Sequence, residues 1–343
     1  MEMGRVILAS LLVFYVILRP TEARPQHSED ASGLRIGFYD ETCPQAEQIV
    51  ADAVAKLYET NPRIPAFLVR LFFHDCFVTG CDASILLDGT PSGEPVEKNS
   101  LANGPSLRGA EFIDDIKARL EEACPETVSC ADTLAFAAHD AMVLSGLPKK
   151  HWPAGRRDSE TSLAANVEGN LPLPDWTVDQ MIEVFVGRKG LRLEDMVALI
   201  GAHSIGGAHC GLFSNRVYNN QGNGLLNPIV NLAFLEELKG ICPDPNNAEQ
   251  MQQMGDPIVD FDLNKTPGKL DHSFYTNILE GKALLYSDQV LIDDERTGKF
   301  VQTFADDQKT FSHKFVNAML RMGKIGVLTG DQGQIRKICR SVN

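Results

Sequence analysis

The side chains of this sequence that could do chemistry are concentrated between Arg70 and Ser84. Arg70 and His74 are four residues apart, so on a helix they lie on one face, one turn from each other. Their neighbours are large apolar residues, which indicates that this face looks into a pocket and not into water. Because a guanidinium is seldom buried without a partner or a task, the pair predicts a buried acid–base site.

The turn that follows this pair is rich in oxygen atoms. Asp75, Asp82 and Ser84 bring carboxylate and hydroxyl oxygens to its edges. Cys76 and Cys81 are close enough in the chain to close a tight loop between them. The sequence therefore predicts one helix that carries the acid–base pair and ends in a cross-linked turn.

A second group of chemical interest surrounds His203. Small residues flank this histidine, from Gly201 and Ala202 to Ser204 and Gly206, and leave room for a bulky planar partner. A lone histidine is usually structural, and the other histidines of the chain keep that interpretation. His203 and His74 lie far apart in the chain, so spacing alone neither joins them in one metal site nor separates them.

The elements that must position these groups are predicted to be mostly helical. Proline and capping signals begin helices near Pro44, Pro65 and Ser129. Apolar spacing predicts further helices over 111–122, 178–189, 193–201, 228–240, 271–280 and 306–322. The intervals 88–110, 148–174 and 219–227 are rich in proline, glycine or asparagine and indicate loops. Alternating strand patterns are scarce, which favours a mostly α-helical fold.

Composition bounds the class of protein. The chain has 343 residues, enough for one large domain or two halves that share a core. The net charge of -14, with no run of lysine and arginine, argues against a nucleic-acid partner. We expect a soluble globular protein with no membrane partner.

The N-terminus predicts secretion. Arg5 precedes an apolar stretch over 6–18, and small residues follow at Thr21 and Ala23, as in a signal peptide. We therefore assign residues 1–23 to a signal peptide and 24–343 to the mature domain. A membrane anchor or a buried helix is the alternative, but the stretch is short for a spanning helix.

The predicted secretion indicates which bonds the eight cysteines form. An even number in an oxidising compartment indicates four disulfides, and spacing alone supports only Cys76–Cys81. A metal–thiolate site is disfavoured because the sequence has no CxxC pair.

Several separated motifs taken together resemble the secreted plant haem peroxidases of class III. They are the stretch from Arg70 to Asp88, Ser129–Asp132, Gly155–Asp158, Gly201–Gly206 and Ser287–Gln289. The resemblance runs from Gly37 to Asn343, and the spacing of all eight cysteines fits it. It implies a mostly helical haem peroxidase fold with distal and proximal halves that enclose haem b. It also implies that hydrogen peroxide oxidises small phenolic donors in one-electron steps, in a secreted monomer.

The resemblance assigns roles on the two sides of the haem. On the proximal side His203 is the implied axial ligand, and its other ring nitrogen donates to Asp288. On the distal side His74 is the implied base that takes a proton from peroxide, and Arg70 stabilises developing negative charge. Asn103 and Phe73 complete the implied site, the first as a hydrogen-bond partner of His74 and the second as a wall of the haem.

The resemblance also implies a donor site at the haem edge. The carbonyl of Pro172 is the implied hydrogen-bond partner of a phenol. Leu101, Leu173 and Leu212 line the implied entrance, which makes it apolar and suited to aromatic donors.

Two calcium sites are implied, each made only of oxygen ligands, which suits a hard cation. The distal set consists of Asp75, Val78, Gly80, Asp82 and Ser84, where Val78 and Gly80 act through their carbonyls. The proximal set consists of Ser204, Asp262, Thr266, Lys269 and Asp271, where Lys269 acts through its carbonyl. The implied disulfides are Cys43–Cys124, Cys76–Cys81, Cys130–Cys339 and Cys210–Cys242.

The chain departs from the family pattern in two places. The interval from Asp262 to Thr266 is one residue longer than usual, which weakens Asp262 as a ligand. Lys150 stands where a tryptophan is usual, and Trp152 lies two places on, so we expect local repacking. The sequon at Asn264 falls within the proximal calcium loop, and we expect little glycosylation there.

Two other functions remain open from the residues alone. A secreted scaffold that binds calcium without catalysis would keep the oxygen-rich turns, but it would need neither Arg70 nor the histidines. A zinc hydrolase could use His74 and His203, but the sequence offers no HExxH spacing and no obvious third ligand.

Overall fold

The computed structural model of this chain describes residues 32–218, 231–261, 266 and 268–343. The predicted signal peptide, Asp262 and the sequon at Asn264 lie outside these residues. Thirteen α-helices are found in the described residues, joined by short 3₁₀ turns. They are α1 Ala46–Thr60, α2 Ile64–Val78, α3 Ala110–Ala123, α4 Cys130–Leu144, α5 Val178–Ile182, α6 Leu193–Ile200, α7 Ser214–Tyr218, α8 Leu232–Ile241, α9 Ala248–Met254, α10 Ser273–Leu279, α11 Tyr286–Asp293, α12 Glu295–Asp306 and α13 Gln308–Met322.

Local sequence explains where several of these helices begin. Pro65 lies in the first turn of α2, where its fixed φ suits the helix and its missing N–H costs nothing. The hydroxyl of Ser129 caps α4 by accepting a hydrogen bond from the backbone N–H of Asp132. Asp307 separates α12 from α13 with extended backbone, and its carboxylate caps α13. The mostly helical class predicted from the sequence is therefore confirmed.

The helices share one large hydrophobic core. Helices α1 and α2 pack against α4, and α6 packs against α12 and α13. A smaller second cluster contains Phe213, Val217 of α7, Phe234 and Leu238 of α8, and Leu284. No helix among the described residues is long and apolar enough to cross a membrane.

A buried ion pair ties the loop at 155–158 to α4. The carboxylate of Asp132 accepts from Arg156 Nη1 at 2.8 Å and from the hydroxyl of Tyr39 at 2.8 Å, and all three side chains are buried. Because a buried carboxylate is costly unless it is paired and hydrogen-bonded, this network holds the loop against the core.

Two short antiparallel strands lie next to the second chemical group. Strand β1, Gly207–His209, pairs with β2, Ile258–Asp260, with Gly207 opposite Asp260. A Cβ added at Gly207 would lie 2.5 Å from the carbonyl oxygen of Val259, so this close approach requires glycine.

The four disulfides join Cys43 to Cys124, Cys76 to Cys81, Cys130 to Cys339 and Cys210 to Cys242, as the family resemblance implies.

Some elements differ from the sequence prediction. The helix predicted over 178–189 is α5 followed by a π-helix, Glu183–Arg188. Helices α7, α9, α11 and α12 are not among the predicted helices. Helices α7, α9 and α11 are short and give little periodic signal. Helix α12 is amphipathic, so its apolar spacing could have predicted it.

Candidate active site

Helix α2 holds the distal pair in the geometry that its spacing predicts. Arg70 Nε donates to His74 Nε2 at 3.2 Å. The guanidinium is also held from outside the helix, because its two other nitrogens donate to the carbonyl and the hydroxyl of Ser106. Burial lowers the pKa of Arg70 to about 10, so the group remains charged at neutral pH.

Asn103 fixes the other ring nitrogen of His74. Its Nδ2 donates to the carbonyl of Glu97 at 2.7 Å, so its Oδ1 is the atom that faces His74 Nδ1, 2.6 Å away. An amide oxygen can only accept, so His74 Nδ1 carries the proton and donates it. His74 Nε2 is then the nitrogen with the lone pair, and it lies beside Arg70.

Burial keeps His74 neutral over a wide range of pH. Desolvation, followed by the charge of Arg70, lowers the pKa of His74 to about 3, although the hydrogen bond with Asn103 acts to raise it. The residue is 6 % exposed. An imidazole in this state is available as a base even in mildly acidic solution.

Phe73 forms an aromatic wall beside the distal pair. Its ring lies edge-on to His74 with centroids 5.7 Å apart, and it packs against Phe77 at 4.3 Å. The π-helix supplies Phe185, which stacks on Phe73 with centroids 6.2 Å apart. These neighbouring rings restrict where Phe73 can move.

The proximal pair joins residues from two helical segments. His203 follows α6, and its Nδ1 lies 3.0 Å and 3.2 Å from the two carboxylate oxygens of Asp288 in α11. The Asp288 side chain is 1 % exposed, whereas that of His203 is 35 % exposed. Nδ1–H is committed to the carboxylate, so Nε2 is the nitrogen of His203 that remains for a metal ion.

A cavity opens beside this histidine. Phe261 stacks on the imidazole at 4.4 Å with the rings nearly parallel, and Phe274 meets it edge-on at 6.1 Å. The rest of its wall is formed by Asn277, Lys282, Ala283, Leu284 and Asp288. The wall combines aromatic and aliphatic side chains with polar ones, and His203 contributes an imidazole whose Nε2 is uncommitted and is chemically suited to bind the metal of a haem.

Gly201 is needed where the chain leaves α6 for His203. A Cβ at this position would collide with the hydroxyl of Tyr275 and the ring of Phe311. The small residues that the sequence places around His203 therefore serve close packing behind the histidine as well as space in front of it.

The distal and proximal segments are neighbours in space. A Cβ added at Gly206, three residues after His203, would lie 3.1 Å from Cβ of Ala66, one turn before Arg70 in α2. Arg63, at the start of α2, pairs with Asp260 of β2 at 2.7 Å. These contacts bring the segment that carries His203 to the start of the helix that carries His74.

The oxygen-rich turn after α2 is buried. The Asp75 carboxylate accepts from the backbone N–H of Ala83 at 3.1 Å, and that of Asp82 accepts from the N–H of Ser84 at 3.0 Å. Thr79 lies within hydrogen-bonding distance of Asp82 and Ser84. Desolvation raises the pKa of both carboxyls, and for Asp75 the neighbouring charge of Asp82 adds to the effect.

Glu97 adds a third carboxyl that sequence reasoning missed. The side chain is 0 % exposed, and within the described residues its carboxylate oxygens form no hydrogen bond of ordinary geometry, although the nearby hydroxyl of Ser84 acts to lower its pKa. Burial and the charge of Asp82 raise its pKa to about 8. In the sequence Glu97 is one glutamate in a proline-rich loop, so no pattern could have found it.

The donor chemistry of this turn fits calcium. Three buried carboxyl groups resist ionisation together, because each loses its hydration and two of them feel the charge of Asp82. A divalent cation would stabilise their ionised forms, and carboxylate oxygens are the ligands that calcium prefers.

The proximal oxygen set is partly described. Ser204 Oγ accepts from the backbone N–H of Asp271 at 3.2 Å, and Thr266 Oγ1 donates to Asp271 Oδ2 at 3.2 Å. Lys269 belongs to the same turn, since its N–H donates to the carbonyl of Thr266. Among the described residues, no three or more histidine, cysteine, aspartate and glutamate side chains are grouped closely enough to hold a metal ion by themselves, so either calcium site would also need hydroxyl and carbonyl oxygens.

The segment that carries Pro172 is anchored to the proximal helix. The carbonyl of Pro174 accepts from the backbone N–H of Ser287 at 3.0 Å, one residue before Asp288. Leu173 is 46 % exposed and Leu101 is fully exposed. Leu212, at 52 %, also shows its side chain to solvent, so all three predicted entrance leucines are accessible.

Comparison with known proteins finds similar sequences over most of the chain. A family model described as peroxidase matches residues 50–307. Peroxidase 14 of Arabidopsis thaliana is 43% identical over 307 residues, which cover 89% of this chain and 88% of that protein. Peroxidase 5 of Vitis vinifera is 43% identical over 90% of this chain and 92% of its own. A peroxidase of Armoracia rusticana is 44% identical over 89% of this chain and 85% of its own.

Proposed function

The chain belongs to the plant class III peroxidases, haem enzymes that use hydrogen peroxide as oxidant, and we propose that it binds haem b between His74 and His203. When bound, the haem supplies the redox chemistry that carries two oxidising equivalents from peroxide to reducing substrates. The rest of the mechanism follows from what the protein's own side chains do around it.

On the distal side His74 moves the proton. Its Nε2 takes a proton from hydrogen peroxide and returns it to the departing oxygen, which leaves as water. Arg70, 3.2 Å from this nitrogen, stabilises the negative charge that develops on the departing oxygen. Asn103 keeps Nδ1 protonated, so that Nε2 is always the basic nitrogen.

On the proximal side His203 is the metal ligand in this proposal. Asp288 accepts the Nδ1 proton and orients the ring, and it increases the negative character of the imidazole. The observation that carries the proposal is shared by both histidines. Each is held at Nδ1 by a buried acceptor, which leaves Nε2 for chemistry on one side and for a metal on the other.

Small phenolic donors fit the open edge of this site. Phe73 packs against Phe77 and Phe185 and would wall off the distal face, so donors would reach the haem edge near Pro172. The exposed leucines 101, 173 and 212 give that approach an apolar character suited to aromatic rings. The carbonyl of Pro172 would accept the hydrogen bond of a phenol.

Two calcium ions complete the proposal. The distal ion would be held by Asp75, Asp82 and Ser84 with the carbonyls of Val78 and Gly80, supported by Glu97. The proximal ion would be held by Ser204, Thr266, Asp271 and the carbonyl of Lys269, with Asp262 as the remaining candidate. Asp75 follows His74 and Ser204 follows His203 in the chain, so each ion would brace one functional histidine.

We further propose that residues 1–23 direct secretion and that 24–343 act as an extracellular monomer without a nucleic-acid or membrane partner. N-terminal sequencing of the secreted protein and its sedimentation behaviour test these points directly.

The central experiment is spectroscopy of the purified protein with metal analysis. We expect a Soret band, one iron and two calcium ions per chain, and peroxide-dependent oxidation of guaiacol. Zinc in place of iron, without a Soret band, would favour the hydrolase alternative. Calcium without iron, and no oxidation of guaiacol, would favour a binding scaffold.

A further inference from the structure

Arg216 is a buried cation that neither the distal nor the proximal assignment uses. It lies in α7 and is 2 % exposed, among the largest fully buried side chains of the described residues. Its neighbours Phe213 and Val217 belong to the second hydrophobic cluster, which also contains Leu284 and Leu285. Helix α7 therefore packs directly on the segment that leads into α11.

The guanidinium holds the wall of the cavity beside His203. Its Nη1 donates to the carbonyl of Ala283 at 2.7 Å and to that of Leu284 at 2.5 Å. Both residues line the cavity together with His203 and Asp288. Gln289, the next residue after Asp288, also accepts from the N–H of Ala283, so Arg216 and the proximal helix clamp one short segment from two sides.

The charge of Arg216 acts on the proximal carboxylate. Burial lowers the pKa of Arg216 to about 10, while the negative charge of Asp288 acts in the opposite direction. Lys282 also lines the cavity, but its ammonium is paired with Glu280 at 2.5 Å and is partly exposed. Arg216 is thus a buried positive charge that holds two residues of the cavity wall and whose charge interacts with Asp288.

On the premise that His203 binds the haem iron, we propose that Arg216 is a positioning residue for the proximal pair. It fixes the wall next to Asp288, and its positive charge offsets the carboxylate, which limits how much negative charge Asp288 lends to His203. Nothing in the sequence singles out this arginine, because its hydrogen-bond partners lie far downstream, at Ala283 and Leu284.

Two substitutions distinguish the effect of the positive charge of Arg216 from that of its hydrogen bonds to the cavity wall. Arg216→Lys keeps the positive charge, whereas Arg216→Gln keeps an N–H donor for the carbonyls and loses the charge. The measurements are the ferric/ferrous potential of the haem-loaded protein and the iron–histidine stretching frequency of its ferrous form. Thermal unfolding of each variant reports the loss of packing separately.

We expect Arg216→Gln to favour ferric iron by about tenfold, which is about 59 mV toward negative potential for one electron. Its iron–histidine frequency should rise, because an unopposed carboxylate makes the imidazole a stronger donor. Arg216→Lys should match the wild type in both measurements even if it unfolds at a lower temperature. In an Asp288→Asn background, Arg216→Gln should lose most of its effect on the potential.

Equal shifts in the two variants, no shift in either, or a rise in the potential of Arg216→Gln would overturn the inference. A full shift that persists in the Asp288→Asn background would do the same. If Arg216→Gln does not fold, Arg216→Met takes its place as the neutral variant, and it should show the same negative shift while Arg216→Lys shows none. A wild-type protein without an iron–histidine band would instead refute the proposed function itself.

Discussion

The two histidines that we propose as functional differ mainly in what holds their Nδ1 atoms. His74 donates to an amide oxygen of Asn103 and is almost completely buried. His203 donates to the carboxylate of Asp288, and its side chain remains 35 % exposed to the cavity. A neutral acceptor leaves the imidazole a weak, neutral base, whereas an anionic acceptor makes it a stronger electron donor.

The charges placed beside each ring reinforce this difference. Arg70 donates to the unprotonated nitrogen of His74, and its charge disfavours protonation of that ring. Arg216 holds the cavity wall next to Asp288, and its charge acts on that carboxylate. Histidine would thus serve two tasks in this protein. The group that accepts from Nδ1 and the charge beside the ring would determine which task each histidine performs.

Removing the distal histidine should have the largest effect on activity. His74→Ala should slow the reaction with peroxide by about 10²–10⁴-fold, because general base catalysis is lost, while haem binding persists. Stopped-flow spectroscopy at the Soret band measures the rate. His313→Ala, at an exposed histidine of α13, is the control and should react like the wild type. Full activity in His74→Ala would contradict the base assignment.

Making the proximal acceptor neutral should have the next largest effect. In Asp288→Asn the ring of His203 loses its anionic partner, so the potential should rise and the peroxide reaction should slow by about 10- to 100-fold. Redox titration and stopped-flow measurements follow both. A variant with unchanged potential would show that the carboxylate does not tune this histidine.

Making the distal acceptor anionic is the reciprocal change. Asn103→Asp should raise the pKa of His74 from about 3 by about 1–3 units, because a neighbouring carboxylate favours imidazolium. The acid limb of the peroxide reaction should move toward neutral pH by the same amount. Asn103→Leu, which removes the acceptor without adding charge, should show no such upward movement.

Calcium removal should have the smallest effect on chemistry and a measurable one on stability. Glu97 has a pKa of about 8 in the folded protein against an ordinary value of 4.5, so the calcium-free protein should lose stability as pH rises through this interval. Bound calcium at 100 times its Kd should restore about 2.7 kcal/mol.

The measurement is thermal unfolding with calcium and with EGTA at pH 5 and pH 8. Calcium should stabilise more at pH 8 than at pH 5. His74 acts in the opposite direction between pH 3 and 6.5, but it does so in both states and cancels in the difference. If calcium stabilised the protein equally at the two pH values, Glu97 would not belong to the cation site.

Much of the site could be predicted because its chemistry is local in the sequence. Arg70, His74 and the oxygen-rich turn lie within one helix and its C-terminal end, where spacing fixes geometry. The partnership of His203 with Asp288 and that of His74 with Asn103 came only from the family resemblance, since long-range contacts leave no periodic trace. The structure brings both pairs within hydrogen-bonding distance.

The features that sequence reasoning missed depend on tertiary burial. Glu97 and Arg216 look like ordinary charged residues in the chain, and only the packed structure removes them from water. From the sequence, the π-helix at Glu183–Arg188 is indistinguishable from an α-helix, because its apolar residues follow a helical pattern of nearly the same period. Its wider turn nevertheless places Phe185 against Phe73.

The hydrogen bond between Ser287 and Pro174 constrains how this enzyme could acquire new substrates. The backbone beside the proposed donor site is attached to the same short stretch that orients the proximal histidine. A change in the path of that backbone would therefore disturb the orientation of Asp288 and of the proposed metal ligand, His203. New donor preferences are more easily reached by replacing outward side chains such as Leu173 than by inserting or deleting residues there.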